Sequence, residues 1–227
     1  MKVLIIDNTI DPISWGSYEL VKYGKLAPGA TLHVRRAPHD DLPESPAGWD
    51  RIIVSGSRTS AMEDAPWIER LLEFIRRAVD MKKPYLGVCY GHQSLVRALG
   101  GKERVRLADR NEHGWSKIRL LEDSALTQGL SQEFYSYSSH YDEVSSLPQG
   151  MRKLASSEDC EIQACQLDKL PIFGIQFHPE KTAEDAKKSL GEHKKNGKPK
   201  YLLHPNDTDK LYRPEIGETI FGNFFKL

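Results

Sequence analysis

Two short stretches of this chain carry residue types that can do covalent chemistry together. The first is Pro84-Tyr85-Leu86-Gly87-Val88-Cys89-Tyr90-Gly91-His92-Gln93, an apolar run into a cysteine with a glycine two residues away on each side. Apolar residues at helical spacing follow at once (Leu95, Val96, Ala98, Leu99). The pattern predicts a nucleophile on a sharp strand-to-helix turn, with small neighbours that let backbone pass close by. A helix starting there points free N–H groups and a positive dipole end at the sulfur, which favours thiolate. The second is Phe173-Gly174-Ile175-Gln176-Phe177-His178-Pro179-Glu180, an apolar strand ending in a histidine with a carboxylate two residues on.

A lone free cysteine is most often just a small buried hydrophobe. The glycine spacing and the distant histidine–carboxylate pair point instead to acyl transfer. A thiol nucleophile needs a base to take its proton and a third group to orient the base. Cys89, His178 and Glu180 supply these roles from the ends of two strands. Two other histidines compete for the role of base. His92 begins the predicted helix, with its side chain expected to point away from the sulfur. His140 has Asp142 two residues on, so a His140–Asp142 pair stays open as the alternative, with pocket-shaping as its expected role.

Elements able to hold such residues follow from the hydrophobic pattern. Val3–Ile6, Thr31–Val34, Arg51–Val54 and Tyr85–Val88 read as strands. Ile13–Tyr23 reads as a helix, and Ile68, Leu71, Leu72, Ile75 and Val79 recur at helical spacing. This β-α-β rhythm predicts an α/β fold: a doubly wound, mostly parallel sheet with helices on both faces. Ligands in such sheets bind beyond the carboxyl ends of the strands. Cys89, Ser55-Gly56-Ser57 and His178 all fall at such ends. From Gly101 to Phe177 short alternating segments predict appended antiparallel strands: Trp115–Leu121, Phe134–Tyr137, Met151–Ala155 and Glu161–Leu167. Gly217–Phe225 predicts a closing helix.

Residues 181–216 stand apart. They are polar and rich in lysine (Lys187, Lys188, Lys194, Lys195, Lys198, Lys200), with Gly191, Gly197, Pro199 and Pro205. They read as an insertion at the mouth of the site, either a solvated excursion or a lid or partner surface. The 227 residues otherwise fit a single domain.

Composition excludes several classes. Lys+Arg is 32 and Asp+Glu is 32, so there is no electrostatic case for nucleic acid or membrane surfaces. No apolar run approaches the roughly 20 residues of a membrane span, and Asp7 follows the first apolar residues too soon for a signal peptide. Cys89, Cys160 and Cys165 form no even framework, and no Cys/His pair near the last two suggests zinc. A reduced, cytoplasmic protein is expected.

On Gly87-Val88-Cys89-Tyr90-Gly91-His92-Gln93 and Phe177-His178-Pro179-Glu180, the chain resembles class I (triad type) glutamine amidotransferases. Among them it is most similar to the glutamine-hydrolysing domain of GMP synthases. The resemblance spans roughly Met1–Glu180 and resumes at Gly222-Asn223-Phe224-Phe225. It implies a flavodoxin-like fold and hydrolysis of the γ-amide of glutamine through a Cys89–His178–Glu180 triad and a covalent γ-glutamyl thioester. It implies an oxyanion hole from the N–H groups of Gly56 and Tyr90. It also implies substrate contacts from Gln93 and from Ser139, His140 and Tyr141, in Ser138-Ser139-His140-Tyr141-Asp142-Glu143-Val144. Tyr141 stands where the family has a glycine. No metal and no organic cofactor is implied. The family's synthetase unit has no counterpart here, so the expected partner is a separate synthetase subunit receiving ammonia. The alternatives are a stand-alone γ-glutamyl peptidase acting on glutathione-like compounds, or a non-catalytic binding module on the same fold.

Overall fold

The first strand sets the architecture. In β1 (Lys2–Asp7) Val3, Leu4, Ile5 and Ile6 are all fully buried. Successive strand side chains point to opposite faces. Val3 and Ile5 therefore enter one apolar cluster and Leu4 and Ile6 the other. A strand buried on both sides belongs in the middle of a layered α/β sheet. In this computed structural model, which describes residues 1–196 and 201–227, that is where it lies.

Parallel pairing joins β2 (Thr31–Arg36), β1, β3 (Arg51–Val54), β4 (Tyr85–Val88) and β9 (Ile172–Ile175) in that order. The antiparallel continuation is β8 (Ala164–Leu167), β7 (Met151–Ser156), β5 (Val105–Leu120) and β6 (Glu133–Val144). Helix α2 (Pro66–Asp80) covers one face with Ile68, Leu71, Leu72 and Ile75. Helix α6 (Pro214–Phe224) covers the other with Ile220, Phe221 and Phe224. The doubly wound parallel half with appended antiparallel strands is the fold class that the pattern predicts. Among the described residues no helix is long and apolar enough to cross a membrane.

Three elements depart from the periodic reading. The helix expected over Ile13–Tyr23 is only α1 (Tyr18–Lys22) followed by a single 3-10 turn. Upstream, polar groups compete for the backbone. Asp7 accepts bonds from the N–H groups of Thr9 and Ser17 (2.8 Å each), and Arg36 donates to the carbonyls of Thr9, Asp11, Pro12 and Ser14. Strands β5 and β6 extend well beyond their apolar stretches. The added pairing runs through polar residues such as Glu112↔His140 and His113↔Ser139, each pair joined by a side-chain hydrogen bond.

The third departure is residues 181–216. They form α4 (Ala183–Asn196) and α5 (Thr208–Leu211) rather than a solvated excursion. Ala186 and Leu190, four apart on one helix face, are buried against Trp115 and Tyr137, with Leu202, Leu211 and Tyr212 packed around them. Trp115 N–H donates to the Leu203 carbonyl (3.0 Å), and Leu203 N–H to that of His113 (2.8 Å). Gly197, Lys198, Pro199 and Lys200 lie outside the described residues.

Candidate active site

Cys89 joins β4 to α3 (Tyr90–Gly100) with φ 51° and ψ −103°, a strained backbone for a residue with a side chain. Such a conformation costs of order 1–3 kcal/mol and survives only where its surroundings enforce it. The enforcement is visible. A Cβ at Gly87 would stand 2.3 Å from the Gly91 carbonyl oxygen, and one at Gly91 would stand 2.2 Å from that of Val54. Only glycine at both positions lets α3 turn back this tightly over β4 and β3. Cys89 N–H donates to the Ile175 carbonyl (2.8 Å), tying the turn to the end of β9. Cys89 is 4 % exposed.

Beyond β9, alternation sorts the next residues. Phe177 drops into the core, its ring 5.7 Å from that of Phe134, while Gln176 and His178 turn the other way. His178 N–H donates to the Tyr137 carbonyl (2.7 Å), which fixes the histidine against β6. Its Nδ1 lies 2.6 Å from Glu180 Oε1, and its imidazole engages the Cys89 sulfur. Burial alone would strip the proton from His178. The charges of Glu180 and Cys89 outweigh that and push it up to about 10. Burial likewise opposes the Glu180 carboxylate, but His178 beside it brings the net shift down. The arrangement keeps a proton on the imidazole next to the sulfur.

Gly56 lies two residues beyond the end of β3 and stands over both partners: a Cβ there would lie 3.0 Å from His178 Cε1 and 3.6 Å from Cys89 Cβ. Its loop is pinned by Asn8, whose Nδ2 donates to the Ser55 carbonyl (2.9 Å), and by Ser57, whose hydroxyl donates to the Asn8 carbonyl (2.8 Å). Tyr90 is the first residue of α3, so its N–H has no partner within the helix. The three strand ends expected to converge do so.

The competing histidines are engaged elsewhere. The His92 ring is buried against Gly174, with Nδ1 3.5 Å from Cys165 Sγ. His140 faces Glu112 Oε2 through Nε2 (2.9 Å) and the Asp142 carbonyl through Nδ1 (3.1 Å). The Asp142 carboxylate does not orient His140. It accepts bonds from Ser60 Oγ (2.6 Å) and Ala61 N–H (2.9 Å).

A sequence-family model described as glutamine amidotransferase class-I matches residues 10–195. The chain belongs to that family. A glutamine-hydrolysing GMP synthase subunit from Sulfurisphaera tokodaii is 37% identical over 142 residues, 61% of this chain and 73% of that protein. Its namesake from Pyrococcus abyssi is 35% identical over 157 residues, 69% of this chain and 75% of that protein. In fold, the crystal structure of a glutamine amido transferase from Methylobacillus flagellatus superposes with a TM-score of 0.83 at 24% identity, covering 99% of this chain and 94% of that one. This class I amidotransferase is thus an enzyme of the glutamine-hydrolysing type.

Substrate contacts expected from the resemblance fall less uniformly in this amidotransferase. Gln93 is buried, and its Nε2 is spent on the Asp142 carbonyl (2.7 Å) and Gln176 Oε1 (3.0 Å). Ser139 is half-buried, its hydroxyl 3.2 Å from His113 Nδ1. Tyr141 is exposed and packs its ring against His113 at 4.6 Å. His140 is buried in a polar network with Glu112 and Cys160, whose ligand atoms all lie within 4.8 Å. Glu112 already accepts from His140, Gln163 (2.5 Å) and Ser157 (2.7 Å), and burial followed by the charge of Glu112 pushes the Cys160 thiol well up. The Glu112 carboxylate is thus taken up by three donors of this network. The residue missed in the sequence is Gln176, whose Nε2 lies 3.5 Å from Cys89 Sγ. Its one signal was being the sole polar side chain between Ile172 and Phe177.

Proposed function

We propose that this enzyme hydrolyses the γ-amide of glutamine through Cys89, His178 and Glu180 and passes the ammonia to a separate synthetase subunit. The observation that carries the reading is His178, held by Glu180 at 2.6 Å and engaging a cysteine on a strained elbow. In the proposed reaction the Cys89 thiol gives its proton to His178 and the sulfur attacks the side-chain carbonyl. The N–H groups of Gly56 and Tyr90 receive the oxyanion, a contribution of about 3–4 kcal/mol per donor in comparable sites. The tetrahedral intermediate collapses, His178 protonates the departing nitrogen, and a γ-glutamyl thioester remains on Cys89. Water, deprotonated by His178, then releases glutamate and regenerates the thiol. No step calls on a metal or organic cofactor. A synthetase partner is inferred from the relatives, which are glutamine-hydrolysing subunits of GMP synthase.

A second reading, a γ-glutamyl peptidase releasing an amino acid or peptide instead of ammonia, draws on Tyr141. A tyrosine packed at a tilt against His113, which also meets Ser139, stands where the family has a glycine. Turnover of glutamine and of glutathione by the purified chain decides between the two. Cys89→Ala tests both. It should lower kcat by about 10⁴-fold or more with the melting temperature unmoved, and retention of a few per cent of activity would remove the covalent mechanism.

A further inference from the structure

We propose that Gln176 is a further catalytic residue: its side-chain amide donates a hydrogen bond to the Cys89 sulfur and stabilises the thiolate, with Gln93 as the positioning residue that aims it. The proposal rests on Cys89 being the nucleophile.

The orientation of the Gln176 amide is forced by its neighbours. An amide can present either its oxygen or its NH₂ to a neighbour, so its direction has to be read from partners that can only accept or only donate. The Asp142 main-chain carbonyl can only accept, so the Gln93 atom 2.7 Å from it is Nε2. That same nitrogen lies 3.0 Å from the Gln176 amide, which must therefore turn its oxygen toward Gln93. The Gln176 NH₂ is left facing Cys89 Sγ at 3.5 Å. The start of the chain is itself anchored: the Asp142 carboxylate is held by Ser60 Oγ and Ala61 N–H, in the loop that follows Gly56, and its carbonyl also faces His140 Nδ1. Gln176 is fully buried and Gln93 nearly so, so water does not compete for these bonds. Main-chain pairing of Gln176 N–H with the Gln163 carbonyl (2.8 Å) keeps the side chain from swinging away.

A fixed N–H beside the sulfur favours the anion over the thiol, because hydrogen bonds to charged acceptors are the stronger ones. The gain appears twice, when the thiol ionises onto His178 and when the sulfur leaves again on thioester hydrolysis. Part of it is offset, since a stabilised thiolate is a weaker nucleophile. Nucleophilicity falls with only about half the sensitivity of ionisation, so the net effect stays favourable wherever the thiolate is incompletely formed. The ionisable neighbour at this sulfur is His178, with Glu180 behind it, and the Cys89 charge reaches Cys160 from further off.

The test is peptide-resolved alkylation of Cys89 by iodoacetamide from about pH 5 to 10, alongside glutamine kinetics. Cys165 and Cys160 serve as internal controls, because burial pushes the Cys165 thiol up to about 12 and the Cys160 thiol well up. In Gln176→Met, which keeps the shape and loses the donor, the pH of half-maximal alkylation should rise by about one unit. With it, kcat should fall roughly 10–100-fold while KM stays within about threefold. Gln176→Glu should be worse, and Gln93→Met should shift alkylation in the same direction by less. An unchanged alkylation profile in a folded Gln176→Met protein overturns the proposal. If no Gln176 variant folds, the side-chain amide resonance of Gln176 in the unsubstituted protein must move when Cys89 ionises, and a static resonance overturns it equally. The two readings fail separately. Hydrolysis surviving in Cys89→Ala sinks the proposed reaction but leaves the alkylation shift to judge Gln176. Normal Cys89-dependent turnover in Gln176→Met sinks the role of Gln176 alone.

Discussion

Two buried histidine–carboxylate pairs sit on opposite halves of this sheet. His178–Glu180 closes at 2.6 Å beyond the parallel strand β9, and His140–Glu112 closes at 2.9 Å between the antiparallel strands β5 and β6. By distance and burial they are near equivalents. They differ in what the second ring nitrogen meets. For His178 it is the side of the ring that engages a thiol able to give and take a proton. For His140 it is the Asp142 main-chain carbonyl, which can only accept. Glu180 faces one histidine, whereas Glu112 is shared among His140, Gln163 and Ser157. A histidine–carboxylate pair becomes a proton-transfer device only when its far nitrogen faces a group that can change protonation; otherwise it is a cross-strand clamp.

Substitutions should separate the two pairs. The largest effect is expected from His178→Asn: kcat for glutamine should fall about 10³–10⁴-fold, with the melting temperature within a few degrees of the original. His140→Asn should do the reverse. It leaves Glu112 with a missing partner in the interior, and breaking a buried pair from one side costs about 3–5 kcal/mol. Urea denaturation should show that loss, while kcat per folded molecule changes by less than about tenfold. If His140→Asn instead crippled a fully folded enzyme, the contrast between the two pairs would not hold.

A smaller effect tests the region that anchors to the His113–Trp115 stretch of β5. Leu190→Ala removes a buried side chain between α4 and Trp115, which should cost about 2–4 kcal/mol of stability. A truly solvated excursion would show no change in thermal midpoint.

The smallest expected effect is Glu180→Gln, which can still offer a carbonyl oxygen to His178 Nδ1. It should lower kcat by about 10–100-fold. The sign of its pH dependence follows from the charges. Glu180 and Cys89 hold the His178 proton up to about 10, above the ordinary histidine value of 6.5. Removing the Glu180 charge lets the proton leave at lower pH. The alkaline limb of the kcat–pH profile, where His178 loses the proton it must give to the departing nitrogen, should therefore move down toward neutrality, and a limb that stays in place would mean that Glu180 does not set the protonation of His178.

What the residues alone determined about this protein was whatever short-range pattern encodes. The elbow is legible because Gly87 and Gly91 lie within two residues of Cys89; the clash that demands Gly87 is local, with the Gly91 carbonyl, whereas the one that demands Gly91 is with Val54 of β3 and exists only in the fold. His178 and Glu180 are legible because a strand followed by a two-residue step brings imidazole and carboxylate together with little help from the rest of the chain. The parallel half of the sheet is legible for the same reason: buried strands on both faces read as continuous apolar runs. Tertiary structure alone decided which histidine faces the sulfur and which faces a carbonyl, because Glu112 reaches His140 only through the β5–β6 register. It alone turned a lysine-rich stretch into packed helices, since the two buried apolar positions of α4, Ala186 and Leu190, mean little until Trp115 and Tyr137 are beneath them. The Asp142–Gln93–Gln176 relay to Cys89 also lies beyond the reach of pattern. Hydrogen-bond direction is set by which neighbours can only accept, and those neighbours come from three separate elements that meet only in the fold.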